Sequence, residues 1–236
     1  MRRRSISRIR STDMLLTLAT YAVGGRRFEH LPGNPEQPAL VLVHGLLHRG
    51  IVMRSLAKFL NGRGYPVYIY DYKTTRSGIV EHGRKFTEFL RSLPEERVGI
   101  VTHSMGGLLT RVALCGLSGT PEAAKIGRVV MLAPPHHGSQ MAEDVSRRFP
   151  PSKLMVRPLA ELSNREGAVC RTLPVPRGFE IGVVAGDDDG KVSIESTKLD
   201  GIADHVVVHA RHVFIMFLPE TRRQILAFLD TGRFLH

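Results

Sequence analysis

Ser104, Asp189 and His212 stand in the order nucleophile, acid, base along the chain, and their side chains suit acyl transfer. A serine hydroxyl is a poor nucleophile at neutral pH. It needs an imidazole to take its proton, and the imidazole needs a carboxylate to fix its tautomer and stabilise its charged form. Ser104 lies in Thr102-His103-Ser104-Met105-Gly106-Gly107, between the β-branched apolar run Gly99-Ile100-Val101 and the apolar, helically spaced segment from Leu108 to Ala113. That pattern predicts a strand, a sharp turn and a helix, with the serine held out at the turn. Gly106 and Gly107 suit a turn in which strand and helix backbones crowd each other. Thr102 stands where the usual Gly-x-Ser-x-Gly pattern has its first glycine. Taken alone, serine followed by x-Gly is also what a plain helix N-cap looks like, so the surroundings must decide.

For the base, His212 is favoured, because it follows the last apolar run; His205 and His209 fall at the start of that run and inside it, where structural or solvent-facing roles are expected. For the acid, Asp189 is favoured within Asp187-Asp188-Asp189-Gly190, with Asp187 and Asp188 as rivals. The triple aspartate lacks the twelve-residue spacing of a calcium loop. Two backbone amides are expected to hold a developing oxyanion: Met105, after the nucleophile, and Leu46, in the loop His44-Gly45-Leu46-Leu47. The pocket for substrate is expected to be lined by His44, Leu47, His103, Pro135 and His136, with His44 shaping its loop. His136 and His137 lack a third ligand at a sensible spacing, so no metal site is read there.

The elements that must position these groups alternate. Ala39–Val43, Val67–Tyr70, Val98–Thr102, Val129–Ala133, Phe179–Ala185 and His205–Ala210 read as strands, and Ile51–Leu60, Ile79–Leu93, the segment after Ser104 and Glu220–Leu229 as helices. Alternation of this kind predicts a mostly parallel sheet with helices on both faces. In such a sheet ligands bind outside the carboxyl ends of the strands, where every candidate group falls. Residues 140–177, rich in Pro, Arg and Ser, read as a helix plus a surface excursion, with little or no lid expected.

The 236 residues suit one compact domain over 31–236, preceded by a basic segment, 1–30. Of the net charge of +11, the first thirty residues supply +5. The body is only mildly basic and has no aromatic platform, which argues against nucleic acid as a partner and leaves room for weak attraction to an anionic membrane surface. The apolar stretch Met14–Val23 is too short to span a bilayer and lacks a good cleavage site, so a cytoplasmic protein is expected, with export or peripheral attachment through the basic amino terminus as the alternative. Two cysteines, Cys115 and Cys170, make no disulfide framework, and Cys115 is expected to be buried packing. No nucleotide motif is present, and the chemistry read here calls for no metal or organic cofactor.

The segments Val41-Leu42-Val43-His44-Gly45-Leu46, Thr102–Gly107, Leu132-Ala133-Pro134-Pro135-His136-His137-Gly138-Ser139 and Asp188-Asp189-Gly190-Lys191-Val192-Ser193, with Arg211-His212, resemble the small lipase-like and esterase-like α/β hydrolases of bacteria. The resemblance covers about residues 39 to 230. It implies an α/β-hydrolase fold, the triad Ser104, Asp189 and His212, and hydrolysis of carboxylic esters. An acyl-thioesterase, an acyltransferase or a non-catalytic binding protein on the same fold are the competing implications. That family often has glycine after His-Gly-Leu, where this chain has Leu47.

Overall fold

A computed structural model describes residues 28–148 and 156–236. The Met14–Val23 stretch and nearly all of the basic amino-terminal segment lie outside the described residues. Seven strands form one sheet: β1 (Phe28–Leu31), β2 (Ala39–Val43), β3 (Val67–Tyr70), β4 (Val98–His103), β5 (Ile126–Leu132), β6 (Ile181–Gly186) and β7 (Asp204–Val208). Their order is β1-β3-β2-β4-β5-β6-β7, and every pairing is parallel except β1 against β3.

Strand residues point alternately to opposite faces, and the apolar runs of β2, β4 and β5 supply both. Val41, Val43, Ile100, Val129 and Met131 pack on one side against α2 (Ile79–Ser92) and α3 (Met105–Leu117), through Phe86, Leu90, Leu109 and Ala113. Leu40, Leu42, Val101, Val130 and Leu132 pack on the other against α1 (Arg54–Asn61) and α8 (Pro219–Thr231), through Leu56, Leu60, Ile225 and Phe228. Phe228 fits the sheet because β6 has Gly182 there; a Cβ on that glycine would lie 2.5 Å from the phenyl ring.

The strand order fixes where a crevice opens. From β2 the chain moves outward to β3, then crosses back through α2 to β4 on the other side of β2. α1 therefore leaves β2 toward one face and α3 leaves β4 toward the other, and the two loops part at the carboxyl ends of these neighbouring strands.

Several boundaries differ from the sequence reading. β1, with its alternating exposure, has no continuous apolar run and was not expected; it covers the outer edge of β3. The helix expected from Ile51 opens as a 3₁₀ turn, Gly50–Met53, before α1. β7 ends at Val208, so His209 lies beyond the strand and not inside it. Among the described residues between β5 and β6 lie three short helices, α4 (Gln140–Arg148), α5 (Pro158–Glu161) and α6 (Val169–Thr172). Buried Arg111 of α3 donates to the carbonyls of Cys170, Leu173 and Pro174 at the end of α6. A further short helix, α7 (Ile194–Thr197), follows β6. Cys170 is buried, whereas Cys115, expected to be buried, is half-buried: it sits late on α3 where the helix turns outward beside exposed Gly116. Among the described residues no helix is long and apolar enough to cross a membrane.

Because Phe228 is fully buried against β6 and Phe234, Phe228→Ala is expected to lower stability by about 3–5 kcal/mol. Urea unfolding followed by circular dichroism checks this, and a loss below about 1 kcal/mol would mean that α8 is not packed on the sheet as described.

Candidate active site

Ser104 directly follows β4, with φ 53° and ψ −125°, a backbone conformation that L-residues rarely adopt. The strained reversal is held on both sides. The Ser104 amide donates to the Leu132 carbonyl at 2.8 Å, and the Ser104 carbonyl accepts from the Gly107 amide at 2.9 Å. α3 then runs so close to β2 that a Cβ on Gly106 would lie 2.7 Å from the Val43 carbonyl oxygen, and one on Gly107 would meet Pro134 at 2.9 Å. Gly106 is thus explained by close backbone approach, and Gly107 by the Pro134 side chain packed against it. Thr102, in place of the usual glycine, is fully buried, with its hydroxyl on the Gly107 side.

The structure brings Ser104, His212 and Asp189 together. His212 Nε2 lies 2.9 Å from Ser104 Oγ, and His212 Nδ1 lies 2.6 Å from Asp189 Oδ2. The other carboxylate oxygen, Asp189 Oδ1, accepts the amides of Lys191 at 2.8 Å and Val192 at 2.9 Å. Those amides and the 1 % exposure of the carboxylate fix its direction. With Nδ1–H given to Asp189, the lone pair of His212 Nε2 faces the serine hydroxyl. The two rival aspartates point elsewhere: Asp187 pairs with exposed His209 at 2.8 Å, and Asp188 is exposed. His205 bonds Thr197 through Nε2.

The loop after β2 faces this trio. A Cβ on Gly45 would come within 2.8 Å of Ser104 Cβ, so the backbone of this loop lies directly against the Ser104 side chain. The Leu47 amide donates to Thr74 Oγ1 at 3.0 Å and the His48 amide to the Gly45 carbonyl at 3.3 Å. The Leu46 amide, just before these two, has no acceptor among the described residues. Met105 is the first residue of α3, so its amide has no intrahelical acceptor either.

Sequence reasoning missed what anchors this loop. Asp71, directly after β3, accepts His44 Nε2 at 3.1 Å, the Arg49 guanidinium at 2.6–3.1 Å and the Gly50 amide at 2.7 Å. Tyr72 adds its hydroxyl to the His44 carbonyl at 2.8 Å. Burial of Asp71 would raise its pKa, but the bonds from His44, Arg49 and Gly50 outweigh it and hold the carboxyl well below the usual carboxylate range. The available signal was position alone, since Asp71 stands at a strand's carboxyl end like the residues that were singled out.

The expected pocket lining needs correction. His44, His103, Pro135 and His136 are buried, and of the five only Leu47 keeps exposed surface. His44 is consumed by the Asp71 network, and His136 lies behind the surface against Arg111 at 3.5 Å. His137, its neighbour, is exposed and helps line a cavity of about 780 Å³ that also reaches Asp189 and Lys191. Among the described residues no group of three or more His, Cys, Asp or Glu side chains converges as a metal ligand set. Leu47 has φ 58° and Ala133 φ 46°, so the turns after β2, β4 and β5 each carry a non-glycine residue in the left-handed region.

Two measurements test this description. At Leu47 the backbone demands what glycine gives without strain, so Leu47→Gly should be more stable than Leu47→Ala by about 1 kcal/mol, reversing the usual order of these residues. Equal or lower stability of the glycine variant in urea unfolding would refute the strain. Acidification probes the buried imidazoles. Burial, then His44, Lys191 and His212, lower the pKa of His48 to about 3, and burial lowers that of His82 to about 4. A folded pKa below the unfolded value of about 6.5 means the unfolded chain binds more protons, so stability falls as pH drops from about 6.5 toward 4. Tm should decline between pH 7 and 5, where ordinary carboxylates remain charged; a flat Tm there would contradict the burial of neutral histidines.

The arrangement has known counterparts in fold. The Bacillus licheniformis lipase BlEst2 aligns in its propeptide form with a TM-score of 0.72 and 18 % identity over 90 % of this chain, which spans 55 % of that one. In its mature form the TM-score is 0.68 at 18 % identity, over 89 % of this chain and 99 % of the other. A structure described among carboxylesterases of the ammonia-oxidizing Thaumarchaeon Nitrososphaera gargenis aligns with a TM-score of 0.60 and 17 % identity, over 87 % and 94 % of the two chains. These likenesses establish the α/β-hydrolase fold. No curated protein sequence matches the chain. Residues 10–148 match the profile of a family described as "Domain of unknown function (DUF7379)", and the chain belongs to that family.

Proposed function

We propose that the protein is a serine hydrolase that cleaves carboxylic esters through an acyl-enzyme. The observation that carries this reading is the continuous hydrogen-bonded line from the Asp189 carboxylate through the His212 imidazole to the Ser104 hydroxyl, ending at a serine held in a strained, left-handed turn. A serine used only as a helix cap would need neither the strain nor a buried imidazole at its oxygen, and Ser104 makes no side-chain cap bond to α3.

Ser104 Oγ attacks the ester carbonyl carbon while His212 Nε2 takes its proton. Asp189 keeps Nδ1–H in place and stabilises the imidazolium that forms. The carbonyl oxygen gains a full negative charge, which the amides of Met105 and Leu46 receive, aided by the positive amino-terminal end of α3. As the carbon–oxygen bond to the alcohol breaks, His212 returns the proton to the leaving oxygen. Water then enters, gives a proton to His212, attacks the acyl carbon and releases the acid, and the proton goes back to Ser104. Each bond made or broken is served by groups of this chain. The fold-level relatives named as lipases and carboxylesterases support an ester substrate, and the absence of an obvious large lid in the sequence favours soluble esters with short or medium acyl chains.

Hydrolysis of a chromogenic acyl-ester series tests the proposal. Ser104→Ala and His212→Ala should each lose about six powers of ten in kcat, and Asp189→Asn about four, with circular dichroism unchanged. A fluorophosphonate should label Ser104 in the folded wild type only. Wild-type protein inert toward every ester and toward the fluorophosphonate would sink the reading, and a jump in rate above the ester's solubility limit would overturn the preference for soluble substrates.

A further inference from the structure

His103 is fully buried, precedes the proposed nucleophile, and is left without a task by the mechanism above. Its Nε2–H donates to the main-chain carbonyl of His212 at 2.8 Å. Its ring stands 4.9 Å from that of His212 and 5.9 Å from that of His48, tilted to both. Its other nitrogen, Nδ1, is buried with no hydrogen-bond partner among the described residues, on the side where a Cβ of Gly45 would stand 3.2 Å away. A buried acceptor without a partner is a cost that a leucine or phenylalanine filling the same space would not incur, so the polar ring calls for an explanation.

The two ends of the Nε2 bond differ in how they are held. His103 closes β4, which is paired on both sides, with β2 and with β5. His212 lies four residues beyond the end of β7, on a turn outside the sheet, held by bonds from the Phe214 and Ile215 amides to the Arg211 carbonyl. Among the described residues the imidazole of His212 hydrogen-bonds Asp189 and Ser104, and both bonds act on the ring and not on the His212 main chain.

We propose that His103 is a positioning residue: its Nε2–H···O=C bond ties the base-bearing loop to the residue covalently joined to Ser104, so nucleophile and base keep their spacing as one unit. The inference rests on the hydrolase reading of Ser104 and His212. The bond requires a proton on Nε2. Burial is the chief cause that holds His103 well below its ordinary pKa, and the titratable groups that face the ring are His212 after β7, His48 after β2 and Lys191 after β6.

Paired substitutions separate positioning from packing. Glutamine places an amide N–H where Nε2–H was, and leucine fills the space without a donor. His103→Leu should fold with the wild-type circular dichroism and lose roughly 100-fold in kcat at unchanged KM, as expected for a base displaced by about 1 Å. His103→Gln should recover most of that loss. Wild-type kcat in His103→Leu, or equal impairment in both variants, would overturn the proposal. If His103→Leu does not fold, the tautomer of neutral wild-type His103, read by long-range ¹H–¹⁵N correlation, decides: a proton on Nε2 with Nδ1 bare supports the bond, and a proton on Nδ1 with Nε2 bare overturns it. Loss of ester hydrolysis and of fluorophosphonate labelling in the wild type would instead strike the hydrolase reading, and the tautomer would still report on the tether.

Discussion

Everything at the candidate site depends on how closely α3 passes the end of β2. The gap between the α carbon of Gly106 and the carbonyls of Val43 and His44 leaves no room for a methyl group. That proximity sets the helix's amino-terminal end beside the loop that carries Leu46, and it turns Ser104 outward because a helix started so near the sheet cannot be reached from β4 without a left-handed residue. The strain at Ser104 is local, and the parallel sheet with its two packed faces supplies the stability that maintains it.

Charge is distributed around this point in a consistent way. Two buried carboxylates, Asp71 and Asp189, are each saturated by donors, and each ends on a histidine. Asp71 organises the loop after β2 and Asp189 the proposed base. The other imidazoles below the surface, His48, His82, His103 and His136, are kept neutral chiefly by burial. That leaves one imidazole, His212, in hydrogen-bond reach of the serine hydroxyl.

Much of this was legible in the sequence. The runs at 39–43, 67–70 and 98–103 are apolar at successive positions because both faces of the sheet are covered, and that continuity marks buried parallel strands. His212 and Asp189 were identifiable by their place after the last two strands. β1 escaped notice because an edge strand four residues long, half exposed, has no such run. Asp71 and Thr74 escaped because their partners, His44, Arg49 and Leu47, are 22 to 27 residues away, and nothing local in Asp71-Tyr72-Lys73-Thr74 distinguishes an anchoring carboxylate from a solvated one. The burial of His44, His103 and His136 was equally invisible, since a histidine next to a reactive residue reads the same whether it faces the ligand or the core.

Arg111 sets a limit on how the region between β5 and β6 can change. Its guanidinium, rooted in the helix that begins at the serine, is met by main-chain carbonyls of Cys170, Leu173 and Pro174. A different segment grafted between those strands would have to present carbonyls at the same place, or the arginine would have to go with it. Remodelling of the segment between β5 and β6 and the identity of one residue on α3 are therefore a single design variable.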